Sequence, residues 1–185
     1  GGGHCRSCVD VIEQQAEFEI VGIVDSMLPC DVEVMGYPVL GDDDMLSVLV
    51  NDVQYALITI GQIGDGTKRK NIYDKLLEFG YTLPSVVSPL AYVARDVELG
   101  DGSIVMHGSI INACANIGVN CIINTKSLVE HDALIEDFCH ISTAATVNGG
   151  SIVKRNSFVG SNAVVIQDVV VAEGSFVKAN QIYKG

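Results

Sequence analysis

Residues 105–122 read VMHGSI, INACAN, IGVNCI: three hexapeptides, each opening on an aliphatic residue and carrying a small one at its fifth position. The register runs outward without a slip. From Val93 to Val177 every sixth residue is Val, Ile or Leu, and from Val97 to Ser175 the position four further on is Val, Ser, Ala or Cys. Such a period belongs to a coil of three short strands, with the aliphatic pointing inward from each face and the slender residue fitting the corner. Strands of successive coils would stack about 4.8 Å apart. A single coil cannot bury its own core, so neighbouring coils must stack. The reading is an all-β parallel β-helix over residues 85–185, with Cys121 and Cys139 stacked at one corner. Gly100, Gly102, Gly108, Gly118, Gly149, Gly150, Gly160 and Gly174 are expected to supply turn conformations closed to other residues. No long insertion interrupts the repeat, so a site must be built on the coils and completed by another subunit.

Residues 1–84 have a different texture and read as a small α/β domain. Val9, Ile12 and Ala16 have helical spacing, and Ile20 to Val24 is a short buried strand ending at Asp25. Gly36-Tyr37-Pro38-Val39-Leu40-Gly41 reads as a turn-rich connection. Met45 to Val53 is expected to be helical, Tyr55 to Ile60 a strand ending at Gly61, and Thr67 to Phe79 a helix stopped by Gly80. That order gives a Rossmann-like unit with a parallel sheet. The glycines at 1 and 3 stand where such folds hold phosphate, and Asp25 where a ribose- or base-binding acid sits. A plain tight turn and a solvated cap explain the same residues.

Composition narrows the partners. The 185 residues are 48 % hydrophobic and 18 % charged, with a formal net charge of −12. That balance opposes a nucleic-acid backbone or an anionic membrane surface. No run approaches the apolar length of a membrane span, and no signal peptide is visible. The six cysteines form no zinc-type pairs, which reads as reduced thiols in a cytoplasm.

Of the four histidines, only His131 lies in an acidic cluster, Glu130-His131-Asp132. A neighbouring carboxylate would hold its tautomer and raise its basicity, as a general base requires; an ordinary surface histidine is the bland alternative. His140 lies half a coil further on and faces another side of its subunit, so the two could meet only across a subunit interface. The wide spacing from His107 to His131 to His140 lacks a paired metal-ligand pattern, so no metal is expected.

Gly1-Gly2-Gly3-His4, the segment 36–41, Ile60-Gly61, Val129-Glu130-His131-Asp132 and His140 occur in an order that resembles the bacterial sugar O- and N-acyltransferases. That family is typified by sialic acid O-acetyltransferases and by bacillosamine- and perosamine-type nucleotide-sugar N-acetyltransferases. The resemblance implies a left-handed β-helix, a homotrimer with sites between subunits, and acetyl-CoA as co-substrate. It implies N-acetylation of a nucleotide-linked 4-amino-6-deoxy sugar in surface glycan biosynthesis, with sialic acid O-acetylation as the alternative. A non-catalytic β-helix docking module is a third reading. By the same resemblance His131 is the general base, with Asp132 or Glu130 the acid that tunes it. His140, Asn124 and Gly149 serve acetyl-CoA, and Gly2, Gly3, His4, Asp25 and Gly61 contact the nucleotide sugar. The family has Gly where Cys5 stands. Its pattern also places a strand ahead of the glycines and a further tail after Gly185.

Overall fold

The computed structural model describes residues 1–185. From Val86–Val87 (β4) to Ile182–Tyr183 (β20) the chain forms a left-handed parallel β-helix of two-residue strands. Its connections run against the usual right-handed crossover. The strands build three sheets of six, six and five, each member pairing in parallel with the strand one coil away. Ile122 and Ile123 pair with His140 and Ile141, so residues 18 apart lie in register. The inward aliphatics from Val105 to Val177 form one buried cluster, with Cys121 and Cys139 among them at their shared corner. Full burial of each aliphatic contributes about 1.5–3 kcal/mol.

The corners show how the chain turns. From Gly102 to Asn180 every sixth residue has φ between 51° and 71°. Only Gly102, Gly108, Gly150 and Gly174 are glycines; Asn and Asp fill six more of these positions, which suits residues that tolerate the left-handed region. The other four glycines expected to serve as turns do something else. A Cβ at Gly100 would lie 2.4 Å from the carbonyl carbon of Gly118, and one at Gly160 would lie 2.5 Å from the backbone nitrogen of Ala179. Gly118 is likewise required by close approach of the next coil and Gly149 by that of the preceding one, not by φ.

The N-terminal part opens with α1 (Gly3–Gln15), ended by Ala16 in the left-handed conformation. The strands β1 (Ile23–Val24), β2 (Glu33–Val34) and β3 (Tyr37–Gly41) follow. Residues 37–41 are therefore a strand, not a connection. β3 is central, parallel to β1 and antiparallel to β2. The turn residues Gly36 and Gly41, both with positive φ, bracket a Tyr-Pro-Val-Leu run whose Val39 is buried. The expected helix over 45–53 shrinks to a 3-10 turn (Asp43–Met45) and α2 (Leu46–Leu49). Tyr55 to Ile60 is extended but makes only one bridge, from Tyr55 to Thr82. The last helix, α3 (Thr67–Phe79), ends as read, with Gly80 at φ 91°.

This unit covers one face of the β-helix. Cys8, Val11 and Ile12 of α1 pack on Val86, Ile104, Met106 and Ile122. A second face, presenting Tyr92, Ile110, Leu128, Thr146, Val164 and Ile182, has no cover within the chain; Tyr92, Ile110 and Ile182 are exposed. No helix is long and apolar enough to cross a membrane.

Candidate active site

The sequence-predicted residues fall into two groups. The first sits at the corner after β11 (Leu128–Val129). Asp132 occupies the left-handed slot with φ 58°, which turns its carboxylate back onto the preceding side chain. His131 Nδ1 lies 2.8 Å from Asp132 Oδ2. A carboxylate accepts, so Nδ1 carries the proton and Nε2 presents its lone pair. The hydrogen bond to Asp132 pushes the His131 pKa above its ordinary value, and the charges of Glu130 and Asp168 act in the same direction. Glu130 itself accepts from Asn112 Nδ2 at 2.7 Å and makes no bond to the imidazole. Of the two acids, Asp132 is therefore the one that holds the ring.

Gly149 lies one coil beyond His131. A Cβ there would come within 2.8 Å of Cε1 and 2.9 Å of Nε2. The carbonyl of Gly149 accepts from Asp168, and the N–H of Gly150 donates to His131, but the N–H of Gly149 has no backbone acceptor. A basic nitrogen and an unbonded amide donor thus share one corner.

The second group gathers where α1 and residues 61–62 meet the β-helix. His140 Nδ1–H donates to the carbonyl of Gln62 at 2.5 Å, and Nε2 accepts from Asn124 Nδ2 at 3.0 Å. The Asn124 amide is oriented by Thr125 N–H, 2.8 Å from its oxygen. The His4 and His140 ring centroids are 6.4 Å apart, and Gly61 lies against His4. Burial lowers the pKa of both histidines to about 4, with the Arg69 guanidinium adding to the effect. Both rings are neutral at pH 7. Gly2 caps α1, and the N–H groups of Gly3, His4 and Cys5 have no backbone acceptor, an arrangement suited to an anion. Asp25 bonds the Gly1 nitrogen and Met27 N–H, which hold its carboxyl below the usual range.

No hydrogen bond or ring contact joins His131 to His140 within the chain, as their half-coil separation implies. Cys139 is adjacent to His140 in sequence, but its sulfur turns inward toward the carbonyls of Lys154, Asp137 and Val153.

Against this geometry the comparisons are informative. A family model described as the PglD N-terminal domain matches residues 1–76. A histidine variant of perosamine N-acetyltransferase from Caulobacter crescentus, in complex with CoA and GDP-perosamine, is 33 % identical with a TM-score of 0.90. The match covers 97 % of this chain and 83 % of that one. The chain belongs to the bacterial sugar acyltransferase family of the hexapeptide-repeat superfamily. The acyltransferase also resembles the acetyltransferase domain of PglB from Neisseria gonorrhoeae, at 25 % identity and a TM-score of 0.87 over 96 % of this chain and 85 % of that one. PerB from Caulobacter crescentus, in complex with CoA and GDP-perosamine, is 27 % identical with a TM-score of 0.73, over 93 % and 88 % of the two chains. No curated protein sequence matches this chain.

Three features of the acyltransferase escape a reading of the sequence. Gln62 contributes a main-chain carbonyl, which no side-chain pattern reveals. Arg69 is fully buried and donates to the carbonyls of Ile58 and Ile60 and to Asn120, tying α3 to the β-helix. Its signal was present: Arg69 shares a helical face with Tyr73 and Leu76, the buried stripe of α3. His107 also gains an acid, because Asp10 from α1 approaches its Nε2 to 2.7 Å across 97 residues of sequence.

Proposed function

We propose that this acyltransferase transfers an acetyl group from acetyl-CoA directly to the amino group of a nucleotide-linked 4-amino-6-deoxy sugar. The observation that carries the reading is the juxtaposition of the His131 lone pair and the free Gly149 N–H, a base beside an oxyanion donor. The perosamine N-acetyltransferase and PerB complexes, which hold CoA with GDP-perosamine, support the same class of substrates.

Acetyl-CoA supplies an activated thioester carbonyl; Gly149, His140 and Asn124 are the residues that would hold it. The chain's own residues do the rest. His131 Nε2 takes the proton that the sugar amine loses as its nitrogen bonds to carbon, and gives it to the CoA sulfur as the thioester C–S bond breaks and CoA leaves as the thiol; the base contributes about 10²- to 10⁴-fold. Asp132 keeps the proton on Nδ1 and stabilises the imidazolium that forms. The Gly149 N–H points at the developing oxyanion, for about 10²- to 10³-fold more. Orientation of two bound substrates contributes further. The N-terminus of α1, with Gly2, Gly3 and His4, takes the diphosphate, and Asp25 and Gly61 flank the nucleotide and sugar. The uncovered apolar face from Tyr92 to Ile182 supports a homotrimer, in which His131 of one subunit reaches the His140 side of its neighbour.

CoA thiol release, measured with a thiol-reactive dye, tests the reading. The acceptors are UDP-, GDP- and dTDP-linked 4-amino-6-deoxy sugars, with sialic acid and its CMP form beside them. Release with an amino-sugar nucleotide supports N-acetylation. Release with a sialic acid alone contradicts it and assigns O-acetylation instead. No release and no acetyl-CoA binding would refute both.

A further inference from the structure

Arg69 is a cation with no counter-charge. It is fully buried on the inner face of α3, burial lowers its pKa only to about 10, and it forms no ion pair with a carboxylate. Taking a guanidinium out of water without such a partner is costly. Packing α3 on the β-helix does not require it, because Tyr73, Leu76 and Phe138 already supply an apolar contact there. A packing role alone leaves the charge unexplained.

The hydrogen bonds of the guanidinium show what it holds. Nη1 donates to the carbonyls of Ile58 at 2.9 Å and Ile60 at 2.6 Å, on the segment that leads to Gly61. Nη2 donates to Asn120, both to its carbonyl at 3.3 Å and to its side-chain oxygen. One planar fork therefore joins residues 58–60 to a corner of the β-helix. Asn120 holds that corner with φ 51°, and Phe138 holds it one coil on with φ 57°. Gln62, also buried, donates from Nε2 to the carbonyl of Phe138 at 2.9 Å. Gly66 leaves room for this amide, since a Cβ there would come within 3.0 Å of Nε2. The main chain of residues 61–65 makes no hydrogen bond to other main chain. The side chains of Arg69 and Gln62 thus fix where the Gln62 carbonyl stands, and that carbonyl accepts from His140 Nδ1–H.

We propose that Arg69 is a positioning residue of the site: anchored on Asn120, it sets, through residues 58–62, the carbonyl that keeps His140 in one tautomer with Nε2 accepting from Asn124. An imidazole without the Gln62 acceptor would be free to carry its proton on Nε2, where it would meet the Asn124 amide donor with a second donor. Asn124 would then turn, and its oxygen would leave the Thr125 N–H. The same segment carries Gly61 against His4, so both buried histidines take their places from it. The consequence for acetyl-CoA rests on the proposed assignment of His140 and Asn124 to that co-substrate; the link from Arg69 to the ring does not.

The test compares Arg69→Lys, Gln62→Met and Asn120→Asp in the full chain. The ¹⁵N shifts of the His140 ring at neutral pH report its tautomer, calorimetry reports acetyl-CoA affinity, and thermal unfolding reports stability. Lysine keeps the charge and loses the fork. It is expected to turn a single Nδ1–H tautomer into a mixture and to weaken acetyl-CoA binding by about threefold to tenfold, the effect of losing one neutral hydrogen bond. Gln62→Met removes only the bond to Phe138; it is expected to act in the same direction, and it decides the matter if Arg69→Lys does not fold. Asn120→Asp suits the left-handed corner and keeps an acceptor for the guanidinium while cancelling its charge, in place of an Nδ2 that has no partner. There the single tautomer should persist. A lower melting temperature with an unchanged His140 signature in the lysine and methionine variants would make Arg69 a structural tie only and overturn the proposal. A tautomer mixture in Asn120→Asp would also overturn it, by assigning the effect to charge. A mixture in Arg69→Lys with unchanged acetyl-CoA affinity would support Arg69 as the anchor of the ring and count against the proposed role of His140.

Discussion

His131 and Gly149 stand one coil apart at the same corner, and the imidazole occupies the space that a side chain at 149 would need. The glycine is required by the ring above it, not by its own backbone, since its φ is not positive. Gly149→Ala must therefore displace His131 and shield the free N–H. Turnover is expected to fall by about 10²-fold or more, while thermal stability changes little. An unaltered rate would separate the glycine from the reaction.

The bond from Asp132 raises the pKa of His131. A base works only when neutral, so activity should fall as pH drops through that raised value. Asn fills the same left-handed slot at Asn120, Asn156, Asn162 and Asn180, so Asp132→Asn keeps the corner and removes the charge. The acid limb of the pH–rate profile should move to lower pH, toward the ordinary histidine value. A limb that stays in place would assign it to another group.

Burial lowers His4 and His140 from 6.5 to about 4. A histidine depressed in the folded state contributes stability that is present above its unfolded pKa and lost as pH falls through the folded one. The protein should therefore lose stability between pH 6.5 and about 4, each histidine contributing about 3 kcal/mol at most. Chemical denaturation across that interval checks the slope, and His140→Asn should flatten it.

Ala144 holds a left-handed conformation at φ 55° without the polar side chain that makes this cheap. Ala144→Gly should stabilise the β-helix by about 1 kcal/mol, despite the entropy glycine adds to the unfolded chain. Equilibrium unfolding gives the sign directly.

The β-helix was legible because one period set both the inward aliphatics and the corners, and local sequence alone enforces it. The corner at 131–132 was legible for the same reason, since neighbours in sequence are neighbours in space. The N-terminal unit was harder. Residues 36–41 read as a turn because Gly36, Pro38 and Gly41 make up half of them, whereas pairing to β1 on one side and β2 on the other makes 37–41 a strand. The environment of His140 was hidden for a different reason: Gln62 arrives from 78 residues away and acts through its backbone. Long-range packing also gave His107 its carboxylate.

In the proposed reaction His131 removes the proton from the attacking amine. Steady-state turnover of His131→Ala, measured by CoA release beside acetyl-CoA affinity by calorimetry, tests it most directly. A loss of at least about 10²-fold in turnover is expected, with acetyl-CoA binding nearly intact. Near-normal turnover in that variant would contradict it.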